Sequence, residues 1–317
     1  MTAPRHRRTC VVGTRTPISF PPVTPPDPSL VTGNTGLATN HDPGSYPPDH
    51  HVLRDLAFTT EMTPAAARSG PTARGWITVN DHLRSPTGVT HPGALATLVD
   101  ALGGGLAATA ARPDWIATAD LTLHLLPLPH VVEVSAVGQV VRAGRTTVVI
   151  EVTLHADGQN LGLATMSFAV LARRDGNPVI DQNDTVTRLT MALPSSGFTA
   201  PFETATGLTI VDAETGTVEL PITDYVRNTL GATQGGMIAM TGAVAAERAL
   251  TFAAHTPLAV VDLHITYLAL ARIGPVRSVT TVLEATSQHG TAYVELVDAG
   301  AEDKLTTIVR ARGVRVP

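Results

Sequence analysis

The stretch Ser85–Asp100, SPTGVTHPGALATLVD, has a second copy at Asn228–Ala243, NTLGATQGGMIAMTGA. The offset is constant, because 231 − 88 and 236 − 93 both give 143, and Asp120-Leu121 answers to Asp262-Leu263 at 142. A chain that repeats a turn, a helix and a strand in this way is expected to fold as two similar units.

Each copy reads as a turn leading into a helix. Gly88 and Gly231 mark the turns, and apolar runs follow: Ala94, Leu95, Leu98, Val99 and Leu102 in one copy, Met237, Ile238, Met240, Val244 and Ala245 in the other. Both helices, about 92–111 and 235–250, are apolar nearly all round and therefore belong in a core. Around the first helix, strands are expected at Leu56–Glu61, Trp76–Asn80, Ile116–Leu126, Val131–Arg142, Thr146–His155 and Leu161–Leu171. Around the second they are expected at Leu208–Asp212, Thr217–Ile222, Ala259–Leu270, Val276–Thr286, Thr291–Asp298 and Leu305–Val314. Successive β-branched runs with short turns between them make an antiparallel meander. The fold class is thus α+β, with a sheet curved around one helix in each unit.

Residues 50–172 and 205–317 form the two units, and 173–204 a polar connection. Residues 1–49 carry Pro21-Pro22, Pro25-Pro26 and Pro47-Pro48 with little apolar periodicity, the composition of a disordered or surface-lying tail. Its basic run Arg5-His6-Arg7-Arg8 has no apolar segment behind it, which argues against a secretory signal. A net charge of −5 argues against a nucleic-acid partner. No apolar run reads as a membrane span, and a cytoplasmic protein is expected. The lone Cys10 excludes a disulfide framework or a Cys metal site, and His50-His51 reads as a solvated pair rather than a metal site. No Gly-x-Ser-x-Gly elbow and no phosphate loop are present.

Thr90–Asp100 resembles the helix-start motif of the hotdog-fold thioesterases of the PaaI-like acyl-CoA thioesterase group. Ala119–Pro127 resembles the strand that follows the helix in that family. The family pattern is Asn-x-x-Gly-x-x-His-Gly-Gly with an acid inside the helix. The resemblance implies two tandem hotdog domains that pair as an intrachain pseudo-dimer, with sites at the interface. It implies hydrolysis of acyl-CoA thioesters without a cofactor, coenzyme A being part of the substrate, and a homodimer of tandem chains.

The copies differ in complementary ways. The first has the acid, Asp100, but Ser85 at the Asn position and Pro92 at the first Gly position. The second has Asn228 and Gly235, with Gln234 at the His position, but Ala243 at the acid position. In the resembled mechanism a backbone N–H at the helix start donates to the thioester carbonyl, and proline has none to give. One site is therefore expected to survive, built from Asp100, Thr118, Asn228, Gln234 and Gly235. By resemblance, the Gly235 N–H polarises the carbonyl and Asp100 attacks or activates water. Asn228 orients the water or the reacting group, and Thr118 supplies a hydroxyl that positions the nucleophile.

Plainer roles stand beside each of these. Asp100 could be a hydrogen-bonded helix acid, Asn228 and Gly235 turn and helix-start residues, and Thr118 an ordinary strand threonine. Glu247, a turn beyond Ala243, is a candidate substitute for the missing acid, but the expectation is an exposed late-helix residue. Arg142, Arg145, Arg272 and Arg277 are candidate partners for coenzyme A phosphates. The alternative to hydrolysis is a non-catalytic acyl-CoA or lipid-binding protein.

Overall fold

The computed structural model describes residues 46–65, 70–173 and 187–316. Most of the tail expected at 1–49, with Cys10, and the middle of the connection at 174–186 lie outside the described residues.

Local chemistry starts each long helix. Helix α2, Pro92–Ala111, is capped by His91, whose Nδ1 accepts the Gly93 N–H at 3.0 Å, and proline occupies its first turn. Preceding it are a short helix α1 (Val52–Asp55) and strands β1 (Thr59–Thr63) and β2 (Thr72–Thr78). Following it are β3 (Trp115–Leu125), β4 (Glu133–Ala143), β5 (Thr147–Ala156) and β6 (Gln159–Leu171). The connection contributes β7 (Thr187–Thr190), and the second unit opens with a short helix α3 (Phe202–Ala205). Strands β8 (Thr209–Asp212) and β9 (Thr217–Leu220) lead to helix α4 (Gly235–Ala254). The chain closes with β10 (Ala259–Tyr267), β11 (Val276–Ala285), β12 (His289–Asp298) and β13 (Lys304–Val314).

All thirteen strands join one antiparallel sheet in the order β7-β1-β2-β4-β5-β6-β3-β10-β13-β12-β11-β9-β8. Read outward from the β3–β10 junction, six strands run in the same order in each half, with β7 of the connection added at one edge, so the duplication in sequence is a duplication in topology. Alternate residues of β5 and β12 are buried, the period-two signature of a sheet with one face against a core. That face packs on α2 in one half and on α4 in the other. At the junction Leu121 and Leu123 meet Ile265 and Leu263 on the helix side. The opposite face carries His124–Asp262 at 2.8 Å and His264–Asp120 at 3.1 Å.

The helices also meet each other. A Cβ added to Gly93 would lie 2.5 Å from Met240 Cβ, and one added to Gly236 would lie 2.5 Å from Thr97 Cα. With the 143 offset these are the same contact seen twice, as two-fold pairing requires. Glycine is needed because a side chain would hold the backbones apart. Gly93→Ala should therefore cost about 1–3 kcal/mol of overpacking, despite alanine's better helix propensity. A urea midpoint at or above that of the parent would contradict so close a crossing.

Several expectations are corrected. Leu56 belongs to the turn ending α1, not to a strand; a four-residue helix carries no periodicity to betray it. The His51 ring is buried, accepts the Leu53 N–H and donates through Nε2 to the Arg227 carbonyl at 3.0 Å. Burial lowers its pKa to about 4, so it is a neutral cap that ties the two halves rather than a solvated side chain. Finally, α2 and α4 are each long and apolar enough by length and composition to cross a membrane. Within the fold, 67% and 72% of those stretches are buried, as core helices of a sheet require.

Candidate active site

Asp100 projects from the middle of α2 toward the other half. It is 8% exposed, and its two carboxylate oxygens have different partners. Oδ1 accepts from the Thr118 hydroxyl of β3 at 3.0 Å, and Oδ2 accepts from the Gly236 N–H of α4 at 3.2 Å. An acid from one unit thus sits against the start of the other unit's helix. Burial raises its pKa from 3.8 to about 6, against the pull of the Thr118 and Gly236 hydrogen bonds, which favour the charged form.

Gly235 is the first residue of α4. A Cβ there would fall 2.8 and 2.9 Å from the Asp100 oxygens, so only glycine allows the carboxylate to approach the helix start. Its own N–H makes no hydrogen bond among the described residues. The structure therefore brings Asp100, Thr118 and Gly235 together and leaves one helix-start donor free. Helix dipole and free N–H together favour a negative oxygen at this point.

Gln234 precedes Gly235 and is 5% exposed; it makes no side-chain cap, and its Oε1 has no partner among the described residues. Asn228 is turned inward on its own loop. Its Oδ1 accepts the Leu230 and Ala232 N–H groups at 2.9 and 3.1 Å, while Nδ2 reaches only the Thr233 carbonyl at 3.5 Å. Asn228 makes no hydrogen bond to Asp100. It shapes the turn that delivers Gln234 and Gly235. Arg272 braces the same turn through the Leu230 carbonyl at 2.8 Å, and Arg277 is engaged by Glu219 at 2.7 Å.

Two tyrosines escaped the sequence reading. The Tyr267 hydroxyl, at the end of β10, donates to the Gly235 carbonyl at 2.9 Å. Tyr46 lies near enough for the Asp100 charge, after burial, to raise its phenol further. No motif marks either residue; the strand offset of 142 aligns Tyr267 with Leu125, so a comparison of the two copies would have exposed the difference.

The matching composite position, where the helix start of the first unit meets α4 of the second, is closed. Pro92 has no N–H, and the next donor, Gly93, is taken by His91. Ala243 stands for the acid and is fully buried, and Val260 stands for Thr118 by the 142 offset. His91 Nε2 also lies 3.4 Å from Glu203, whose other partner is Arg248 at 2.9 Å. Although burial opposes it, His91 and Arg248 hold the Glu203 carboxyl below its usual range. Glu247 is 8% exposed rather than solvated; burial raises its pKa, and it accepts the Val260 N–H at 3.3 Å.

Residues 34–170 match the sequence family described as the acyl-CoA thioesterase C-terminal domain, a span that includes Asp100 and Thr118. No curated protein sequence matches the chain. Among solved structures it is similar to a tesB protein of Mycobacterium avium subsp. paratuberculosis, at 16% identity, TM-score 0.54, covering 77% of this chain and 93% of that one. A hot dog fold protein of unknown function from Alicyclobacillus acidocaldarius aligns at 13% identity and TM-score 0.52, over 84% and 99% of the two chains. The 12:0-ACP thioesterase of Umbellularia californica aligns at 11% identity and TM-score 0.51, over 76% and 93%. With the antiparallel sheet and its two wrapped helices, these likenesses show a hotdog fold.

Proposed function

We propose that the chain is a tandem hotdog thioesterase of the PaaI-like kind that hydrolyses acyl-CoA thioesters at one composite site. The observation that carries this reading is the Asp100 carboxylate of one half held beside a free Gly235 N–H at the helix start of the other. The family match and the thioesterases among the structural neighbours support thioester hydrolysis as the reaction class.

In this reading the thioester carbonyl oxygen accepts from the Gly235 N–H, where the helix dipole stabilises the charge that develops. Both Asp100 oxygens already accept a hydrogen bond, which suits a base holding a water more than a free attacking nucleophile. Asp100 takes a proton from that water as the water oxygen bonds to the carbonyl carbon. The tetrahedral intermediate collapses, the carbon–sulfur bond breaks, and the proton passes to the departing coenzyme A thiolate. The unpartnered Gln234 Oε1 accepts a hydrogen bond from the water or from an amide of the substrate. Asn228 acts through the turn it shapes. No cofactor is required, and cytoplasmic acyl-CoA is the substrate pool this reading implies.

A series of acyl-CoAs of increasing chain length, with aromatic acyl groups included, tests the proposal by following release of free thiol. At least one should turn over, with kcat/KM rising as pH increases through about 6, where Asp100 loses its proton. Saturable binding of acyl-CoA with no thiol released across the series would instead establish a non-catalytic binding protein.

A further inference from the structure

The Gly235–Gly236 peptide has a hydrogen bond at each end. Its carbonyl accepts from the Tyr267 hydroxyl at 2.9 Å, and its N–H donates to Asp100 Oδ2 at 3.2 Å. Tyr267 is the last residue of β10, on the face of Leu263 and Ile265 that meets the helices. A helix-start carbonyl already has a partner one turn on, so Tyr267 adds a second donor to it. We propose that Tyr267 is a positioning residue for the hydrolysis described above, acting on Asp100 through this one peptide; the inference rests on that reading.

Two physical effects support it. A donor on the carbonyl draws electron density from the amide, so the N–H at the other end becomes a stronger donor. The same bond also fixes the peptide plane, aiming the N–H at the carboxylate across the boundary between the halves. The other titratable groups bearing on the pair are Tyr46, beside Asp100, and Asp120 of β3, whose charge acts on Tyr267. Burial first, then the charges of Asp100 and Asp120, raise the Tyr267 phenol well above its usual range, so it stays protonated and able to donate.

The internal comparison points the same way. At the strand offset, 267 − 142 gives 125 and 260 − 142 gives 118. The closed composite site therefore has Leu125 where the open one has Tyr267, and Val260 where it has Thr118. The composite site without an acid also lacks the tyrosine and the threonine that would serve one.

Tyr267→Phe removes only the hydroxyl. The strengthened donor favours charged Asp100, so its loss should move the midpoint of kcat/KM against pH upward by about half a unit to one unit. Turnover at pH 6 should then fall about two- to fivefold, that at pH 8 by no more than about twofold, with KM unchanged. A ¹³C titration of the Asp100 carboxyl should show the same upward move without substrate. A fall of equal size at every pH, with the midpoint and the carboxyl titration unmoved, would make Tyr267 merely structural and overturn the inference. If Asp100→Asn keeps parental turnover, the hydrolytic site itself is wrong. An inactive Asp100→Asn with an unmoved midpoint in Tyr267→Phe sinks only the tyrosine's role.

Discussion

Asp100→Asn should abolish most turnover and at the same time make the protein more stable. Losing a positioned acid–base group costs about 10²–10⁴ in rate, and asparagine keeps the size and the accepting oxygen. The stability effect follows from the direction of the pKa shift. Asp100 titrates at about 6 when folded and at 3.8 ordinarily, so the folded state binds the proton more tightly than the unfolded one. The contribution of this group is therefore fully present below about pH 4 and lost as pH rises through 6. A shift of about two units corresponds to roughly 3 kcal/mol, part of which asparagine should recover above pH 6. A hydrogen-bonded structural acid would behave oppositely, losing stability with its charge. Kinetics and urea unfolding of the variant at pH 7.5 check both halves of the statement. Parental turnover, or a clear loss of stability without loss of rate, would remove Asp100 from the chemistry.

The second large effect is expected at Gly235, where the chain supplies its own control. Proline suits the first turn of a helix, and Pro92 occupies that position in the other half. Gln234, with ψ near 143°, already has the extended backbone that a following proline requires. Gly235→Pro should thus keep α4 while deleting the free N–H. A new Cβ would also crowd the Asp100 oxygens at 2.8 and 2.9 Å, so Gly235→Ala, which adds the carbon and keeps the donor, is the reference. Both variants should lose activity, and proline should lose about 10²–10³ more than alanine, the usual cost of one oxyanion donor. Equal kcat in the two variants would show that the Gly235 N–H does not hold the developing oxyanion.

The same geometry changes what rebuilding the closed site would take. Restoring an acid at Ala243 and an N–H at Pro92 leaves the Gly93 N–H bonded to His91, Val260 without a hydroxyl and Leu125 without a phenol. His91 is itself anchored to Glu203 and Arg248. The second position is a packed polar cluster, not a site waiting for two residues.

How much of this was legible beforehand depends on the range of the interaction involved. The sequence by itself determined the duplication, the two apolar helices and the alternating strands, because periodicity and turn chemistry act over a few residues. It also determined that Asp100 and Gly235 lie in opposite copies, since proline's missing N–H and alanine's missing carboxylate are facts about single residues. Only the tertiary structure decided that Gly236, not Gly235, donates to Asp100, and that Asn228 spends its oxygen on its own turn. It alone placed Tyr267 against the Gly235 carbonyl and buried His51 and Glu247. Those outcomes depend on how two helices cross at Gly93 and Gly236 and on which strands meet at the junction. The contacts of Gly236 with Asp100 and of His51 with Arg227 join residues 136 and 176 positions apart, and that of Tyr267 with Gly235 residues 32 apart, separations that no local pattern encodes.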